Sequence, residues 1–291
     1  MFYIFYALIW IVSWLPMKAL YVLSDLIYPL IYHVVGYRKK IVRNNLLRSF
    51  PEKSLTEIIR IERKFYHYFC DLMLETIRQL HAPKSEMKKR MIFENLELLT
   101  AQAQEGKSVM LMTAHYCNWE WLSIICAYLP DDFKAYPVYQ QLKNKHFDKL
   151  MFQLRNRYGA VNVEKDDLVR TMLNMRREGV KGVFGMISDQ SPMARFIRFR
   201  LDFLHQDTPV FLGTEQLAKK YNYPVYYLDI QRVKRGYYKA IVEPVALMPS
   251  ETSEYEITKA FMLRLEKDIL QRPEFWLWSH NRWKHSKKSA N

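Results

Sequence analysis

No charged side chain occurs in the first 17 residues, glycine appears only 8 times in 291 positions, and cysteine only 3 times. Each scarcity excludes something. Cys70, Cys117 and Cys126 have neither metal-ligand nor redox spacing, and their odd number argues against a disulfide framework, so a reducing compartment is expected. There is no Gly-x-Gly-x-x-Gly for a dinucleotide, no Gly-x-Ser-x-Gly nucleophile elbow and no His-Glu-x-x-His zinc pattern. Gly106-Lys107-Ser108 imitates the end of a phosphate-binding loop, but the upstream glycine is missing and an apolar strand follows where a helix is needed. Internal repeats, low-complexity segments and nucleic-acid recognition motifs are also missing.

What is present is apolar and basic. A 49% hydrophobic composition suffices for one substantial core. Lys and Arg number 44 against 30 Asp and Glu, a formal +14, which implies anionic partners. The 20 Tyr and 7 Trp turn that expectation toward a membrane surface, since both residues favour interfaces.

The uncharged start, Met1 to Met17, would reach about 25 Å as a helix, short of the ~30 Å hydrocarbon core of a bilayer. A second apolar stretch, Ala19 to Val35, is broken only by Asp25 and Pro29. A signal peptide would carry a basic start and a small-residue cleavage site, and neither is there, so the segment is expected to be retained. Phe, Tyr, Ile and Trp cover every face of the first run and leave no polar side for solvent. Residues 1–36 are therefore read as a membrane anchor, crossing or shallowly inserted, and 37–291 as a catalytic domain. Arg38-Lys39-Lys40 and Arg43 follow at once, which suits anionic headgroups and a cytoplasmic location for that domain.

Ser54-Leu55-Thr56-Glu57 is a capping box, predicting a helix to about Leu80 with Ile58, Ile61, Phe65, Phe69, Leu72 and Ile77 turned to the core. Strands and helices then alternate. Strands are expected at Val109–Ala114, Phe133–Tyr139, Ala160–Val163 and Gly182–Ile187, with helices from Asn118 and over Asn144–Tyr158, Asp166–Glu178 and Pro209–Tyr221. Pro224–Gln231 and Tyr237–Val242 read as a late hairpin, and Glu254–Leu270 as a last helix. The fold class is α/β: a mixed, mostly buried sheet flanked by helices, behind an apolar helical segment at the N-terminus.

The chemistry gathers at Ser108 to Leu122. A buried strand delivers His115 to its end, Asn118 has the character of a helix N-cap, and Glu120 falls in the first helical turn. Five residues apart, the two side chains would diverge on one helix, but with His115 on the turn they can approach. A charged carboxylate beside a neutral imidazole fixes its tautomer and stabilises the imidazolium, which makes a general base. That spacing arises readily by chance, so the strand-end position carries the argument. Cys117 is an alternative nucleophile whose turn geometry points it away from the imidazole. Asp189-Gln190 follows another strand end, Arg155 and Arg157 lie on the helix after the second strand, and Trp276 to Lys284 mixes Trp with His280, Arg282 and Lys284. Simpler roles for these are a capping Asp, a solvated basic face and aromatic packing.

In order along the chain, the apolar start, His115-Tyr116-Cys117-Asn118-Trp119-Glu120, the Arg155 helix, Ser188-Asp189-Gln190 and the Trp276-Leu277-Trp278-x-His280-x-Arg282 tail resemble the lipid A biosynthesis acyltransferases. These late acyltransferases of lipopolysaccharide assembly belong to the wider lysophospholipid acyltransferase superfamily. The resemblance implies acyl transfer from acyl carrier protein, or a coenzyme A ester, to a hydroxyl of a phosphorylated glycolipid at the bacterial inner membrane. The domain would lie on the cytoplasmic face against anionic lipids, with no cofactor beyond the donor and no nucleic acid. It implies His115 as general base with Glu120 as its partner, and Arg155, Asp189, Asn118 and Gln190 as substrate-binding or oxyanion groups. Ala114 and Glu120 stand where glycerol-phosphate acyltransferases have Asn and Asp, favouring the lipid A branch. Cys117 stands where many members have Gly, and Gln140-Gln141 where many have Arg-Pro.

Overall fold

The computed structural model describes residues 2–286, with side chains from Tyr6 onward. Helix α1 (Phe2–Ser13) turns at Pro16 into α2 (Met17–Pro29), which runs on through a wider π-type turn, Leu30–Val35. Gly36 ends it in the left-handed region at φ 60°, where glycine escapes the Cβ clash. After α3 (Lys39–Ser49), the capping box opens α4 (Leu55–Arg78): the Ser54 N–H donates to the Glu57 carboxylate at 2.8 Å and the Glu57 N–H to Ser54 Oγ at 3.3 Å. Ile58, Phe65 and Leu72, one every second turn, are buried as the periodicity requires. Helices α1 and α2 pack along α4, and Met17, Leu20 and Tyr32 join one continuous core with the sheet.

Then come α5 (Lys84–Arg90), β1 (Met91–Glu94), α6 (Glu97–Gln104), β2 (Val109–Thr113), a 3-10 stretch (Trp119–Ala127), β3 (Phe133–Tyr139) and α7 (Lys145–Asn156). They are followed by β4 (Val163–Glu164), α8 (Leu168–Arg177), β5 (Lys181–Ile187), β6 (Arg200–Phe203), β7 (Gln206–Pro209), α9 (Gly213–Tyr221), β8 (Val225–Lys234), β9 (Tyr237–Ala246) and α10 (Glu256–Gln271). Seven strands form one sheet in the order β1-β9-β8-β2-β5-β3-β4, parallel throughout except for the β8–β9 hairpin. Every residue of β2 is buried, as a central strand covered on both faces demands. The α/β expectation therefore holds, and the apolar N-terminal helices are present.

The register between β2 and β5 sets which loop residues can meet at the sheet end. In that pair Thr113 lies opposite Ile187, and the Ser188 N–H donates to the Thr113 carbonyl at 3.1 Å. His115 and Asp189 are each two residues beyond that pair.

Several elements depart from expectation for local reasons. The β6–β7 hairpin turns on Leu204-His205, both with positive φ (51° and 59°), so it lacks the Asn or Gly that normally announces such a turn. Pro209 ends β7 opposite Arg200, which delays the helix expected from Pro209 until Gly213. Four-residue β1 adds parallel to the outer edge of β9, a pairing that local pattern cannot show. The segment after Asn118 winds as a 3-10 stretch rather than an α-helix.

Gly182 holds β5 close to β3. A Cβ there would strike the Tyr136 ring and lie 2.7 Å from the Lys134 carbonyl oxygen, which is backbone and has no rotamer to move. Gly182→Ala is expected to destabilise the fold by about 1–3 kcal/mol, an overpacking cost. Thermal unfolding of the variant measures it, and a melting temperature equal to wild type would show that β3 yields freely.

Candidate active site

Because β2 and β5 end side by side, their next residues meet. His115 Nδ1 lies 2.7 Å from Asp189 Oδ1, and the Trp276 indole N–H donates to Asp189 Oδ2 at 2.8 Å. On the far side of the ring, the Gln190 side-chain nitrogen is 3.1 Å from His115 Nε2. With an amide N–H facing Nε2, the imidazole carries its proton on Nδ1 and presents Nε2 as the acceptor. Burial alone would raise the Asp189 carboxyl, but the adjacent His115 charge and the hydrogen bonds from His115 and Trp276 outweigh it and hold the group below the usual carboxylate range. Asp189 is thus a fixed anion behind the ring.

Glu120 is not the residue bonded to His115. Its carboxylate takes a two-point contact from Arg155, Nε at 3.0 Å and Nη2 at 2.8 Å, and the Trp119 indole N–H at 3.0 Å. Burial would raise this carboxyl too, yet the Arg155 charge and its hydrogen bonds, then Trp119 and the His115 charge, lower it overall. Among the described residues no hydrogen bond joins His115 to Glu120, and the Trp119 ring stands edge-on to the imidazole at 5.0 Å between centroids. The expected pairing of His115 with Glu120 is therefore not made: Asp189 holds the imidazole, and Glu120 holds Arg155. The sequence could not reveal this, because it does not say that β2 and β5 are neighbours.

Asn118 also departs from its expected substrate-binding or oxyanion role. It is fully buried and engaged at both ends: Oδ1 accepts the Trp121 N–H at 3.1 Å, and Nδ2 donates to Glu75 Oε2 at 2.7 Å. Glu75, on the buried side of α4, also accepts the hydroxyls of Tyr21 and Tyr238, each at 2.7 Å. Burial raises its carboxyl despite those donors. A hub under the sheet end thus fixes the cap of the 3-10 stretch that carries Glu120. Cys117 is buried, with its thiol pushed well up by desolvation, and its N–H donates to the Phe275 carbonyl at 3.0 Å, so it serves packing rather than nucleophilic attack.

The Trp-rich tail folds back on the site. Leu277 N–H donates to the His115 carbonyl at 3.1 Å, and Tyr116 forms an isolated bridge with Trp276. His280 Nε2 accepts the Ser191 N–H at 3.3 Å, and burial pushes its pKa down to about 4. Arg282 is enclosed, and none of its three guanidinium nitrogens has a hydrogen-bond partner among the described residues. Burial pulls its pKa down to about 10, opposed by the charge of Asp189.

A cavity of about 570 Å³ opens beside these groups. His115, Glu120, Arg155, Gln190 and Gln141 are among its polar lining, and part of the remainder follows one face of the sheet: Leu111 and Thr113, Val183, Gly185 and Ile187, Ala135 and Pro137. Leu168, Val169 and Leu217 line it from α8 and α9. A catalytic-looking polar cluster at the carboxyl ends of parallel strands therefore heads a long apolar hollow.

Asn118→Ala removes a cap and leaves Glu75 short of a donor, so stability should fall by about 1–3 kcal/mol and kcat more than KM should suffer. Unfolding curves with steady-state rates check it; an unchanged kcat would detach this network from the site. His280 stays neutral in the fold down to about pH 4 but takes a proton near 6.5 once unfolded. Stability should therefore drop as pH falls from about 6.5 toward 4, and His280→Gln should flatten that slope in melting temperatures measured across the window.

Comparison with known proteins shows the family. The chain is 22% identical over 290 residues to the lipid A biosynthesis palmitoleoyltransferase of Escherichia coli (strain K12), covering 95% of this chain and 88% of the relative. It matches the lipid A biosynthesis acyltransferase of Shigella flexneri at the same identity and coverage. Residues 1–285 match the bacterial lipid A biosynthesis acyltransferase family, nearly the whole chain, and this protein belongs to that family of acyltransferases.

Proposed function

We propose that this enzyme moves a fatty acyl chain from a thioester donor to a hydroxyl of a phosphorylated lipid A precursor, with His115 as general base and Asp189 as the carboxylate that orients it. The observation that carries the reading is the His115 ring, held by Asp189 at Nδ1 with Nε2 turned to the polar end of an apolar cavity. The acceptor hydroxyl gives its proton to Nε2 as its oxygen attacks the thioester carbonyl, displacing Gln190 from the imidazole. The negative oxygen of the tetrahedral intermediate needs donors. Arg155 uses Nε and Nη2 on Glu120, leaving Nη1 for that oxygen, and Gln190 supplies an amide N–H. Collapse re-forms the carbonyl, the C–S bond breaks, and the proton on Nε2 goes to the departing thiolate. Asp189 and Glu120 keep their negative charges throughout and stabilise the transient imidazolium. The step needs no cofactor beyond the donor thioester.

The cavity suits the acyl chain: its wall takes in β5 from Val183 to Ile187, roughly 13 Å of strand. Gly185 contributes no side chain there, which leaves room against Pro137. The +14 balance suits both a phosphorylated acceptor and an acidic carrier protein as donor. Acyl carrier protein is the donor we favour. The bacterial inner membrane is the site of action, and the basic run Arg38 to Arg43 favours its cytoplasmic face.

The test is acyl transfer by membranes carrying wild type, His115→Ala or Asp189→Asn, offered a labelled acyl carrier thioester or its coenzyme A ester. A tetra-acylated phosphorylated disaccharide and a lysophospholipid compete as acceptors. Transfer to the disaccharide should fall about 10²- to 10⁴-fold in His115→Ala, and by a similar order in Asp189→Asn. Wild-type turnover by folded His115→Ala would sink the mechanism. Transfer to the lysophospholipid alone would move the acceptor to another lipid class.

A further inference from the structure

Helix α2 with its π-type continuation, Met17–Val35, is 19 residues long and, among the described residues, is the helix apolar and long enough to cross a bilayer. Its packing argues for a different use of that length. One side is fastened to the domain by polar and charged groups from end to end: Tyr21 to Glu75 (2.7 Å), Ser24 to Asp71 (2.7 Å), Asp25 to Arg235 (2.6 Å) and Tyr32 to Glu62 (2.9 Å). Those contacts cover about 16 Å of helix. Asp71, Glu75 and Glu62 are fully buried, so turning α2 through a bilayer would carry these acidic α4 residues into hydrocarbon or break each bond.

The opposite side is apolar and open. Val22, Leu26, Leu30 and Val34, spaced every fourth position, are 61%, 69%, 50% and 75% exposed. Trp10 on α1 and Trp14 just beyond it pack on His81 and are still 47% and 58% exposed. Lys18 in the first turn of α2 and Lys40 in the first turn of α3, just past the Gly36 stop, are exposed. We propose that α1 and α2 lie in the plane of one leaflet without crossing it, the Val22-Leu26-Leu30-Val34 stripe set among acyl chains and Lys18 and Lys40 among anionic headgroups. Two opposed faces then have two different partners: α4 on one side and lipid on the other. The catalytic cleft and the start of α1 share one side of the membrane.

This surface is independent of the chemistry assigned to His115, and its test reads no turnover. The full chain, carrying Val22→Cys, Leu26→Cys, Leu30→Cys or Val34→Cys with a nitroxide on that thiol, is reconstituted on phosphatidylethanolamine–phosphatidylglycerol vesicles. Label depth is read from relaxation by oxygen against a water-soluble nickel chelate. The four labels should share one depth, about 5–10 Å below the headgroups. Depths that step by about 6 Å from one position to the next would mean a crossing helix and overturn the proposal. Four labels in water would overturn it equally. Lys18→Gln and Lys40→Gln should each weaken binding to these anionic vesicles about fivefold and leave binding to zwitterionic vesicles unchanged, and equal affinity on both would remove the headgroup contact.

Discussion

The hydrogen bond from His115 Nδ1 to Asp189, made across the ends of two neighbouring parallel strands, is the contact on which the rest depends. It requires β2 and β5 to be adjacent and in one register, which their parallel ladder from Val109 opposite Val183 to Thr113 opposite Ile187 provides. It also requires the carboxylate to remain ionised out of water. Trp276 supplies the second donor, and so the C-terminal tail, 87 residues further along the chain than Asp189, helps to hold the carboxylate behind the His115 ring. The wrapped tail, the paired strands and the tautomer are three levels of one constraint.

Much of this was legible. The strand ending at His115 and the capping box at Ser54 stand almost where the residues predicted, because each rests on local chemistry: a continuous apolar run and a Ser–Glu reciprocal cap. The helix closed near Gly159 did too, with Asn144 accepting from His146 and Phe147 at its start. What could not be read was anything set by which strands neighbour each other. The pairing of His115 with Asp189 joins residues 74 apart, and no periodicity reports it. A place in the first helical turn and a short spacing favour Glu120 instead, and the sheet overrides that local argument. The hairpin turned by Leu204 and His205 escaped for the complementary reason, since its positive-φ residues are not the types that usually carry that geometry.

The Glu75 hub extends the constraint in the other direction. A single buried carboxylate accepts Tyr21 from the N-terminal helix, Tyr238 from the sheet and Asn118 from the turn beside His115. Since burial raises its carboxyl, the hub tolerates its own polarity only while all three donors are present. The apolar N-terminal segment is therefore continuous with the site in hydrogen bonding as well as in packing. Its inner face belongs to the enzyme's core and its outer face to whatever solvent surrounds the enzyme.

Glu120 and Arg155 remain the part that stability alone does not explain. An ion pair removed from water gains little or nothing over apolar packing of similar volume, because desolvation offsets the attraction. Nothing in the fold needs a carboxylate at that position, since the 3-10 stretch is already capped by Asn118. The pair does set two charges of opposite sign in the lining of an apolar cavity that His115 also lines, where the proposed mechanism turns the imidazole into a cation and a carbonyl oxygen into an anion. Because each charge is held by the other, neither has to reorganise as the reaction proceeds, and that preorganisation is what makes fixed charges effective in a site shielded from water. Under the proposed mechanism, a buried pair of doubtful worth to the fold has its use in the transition state.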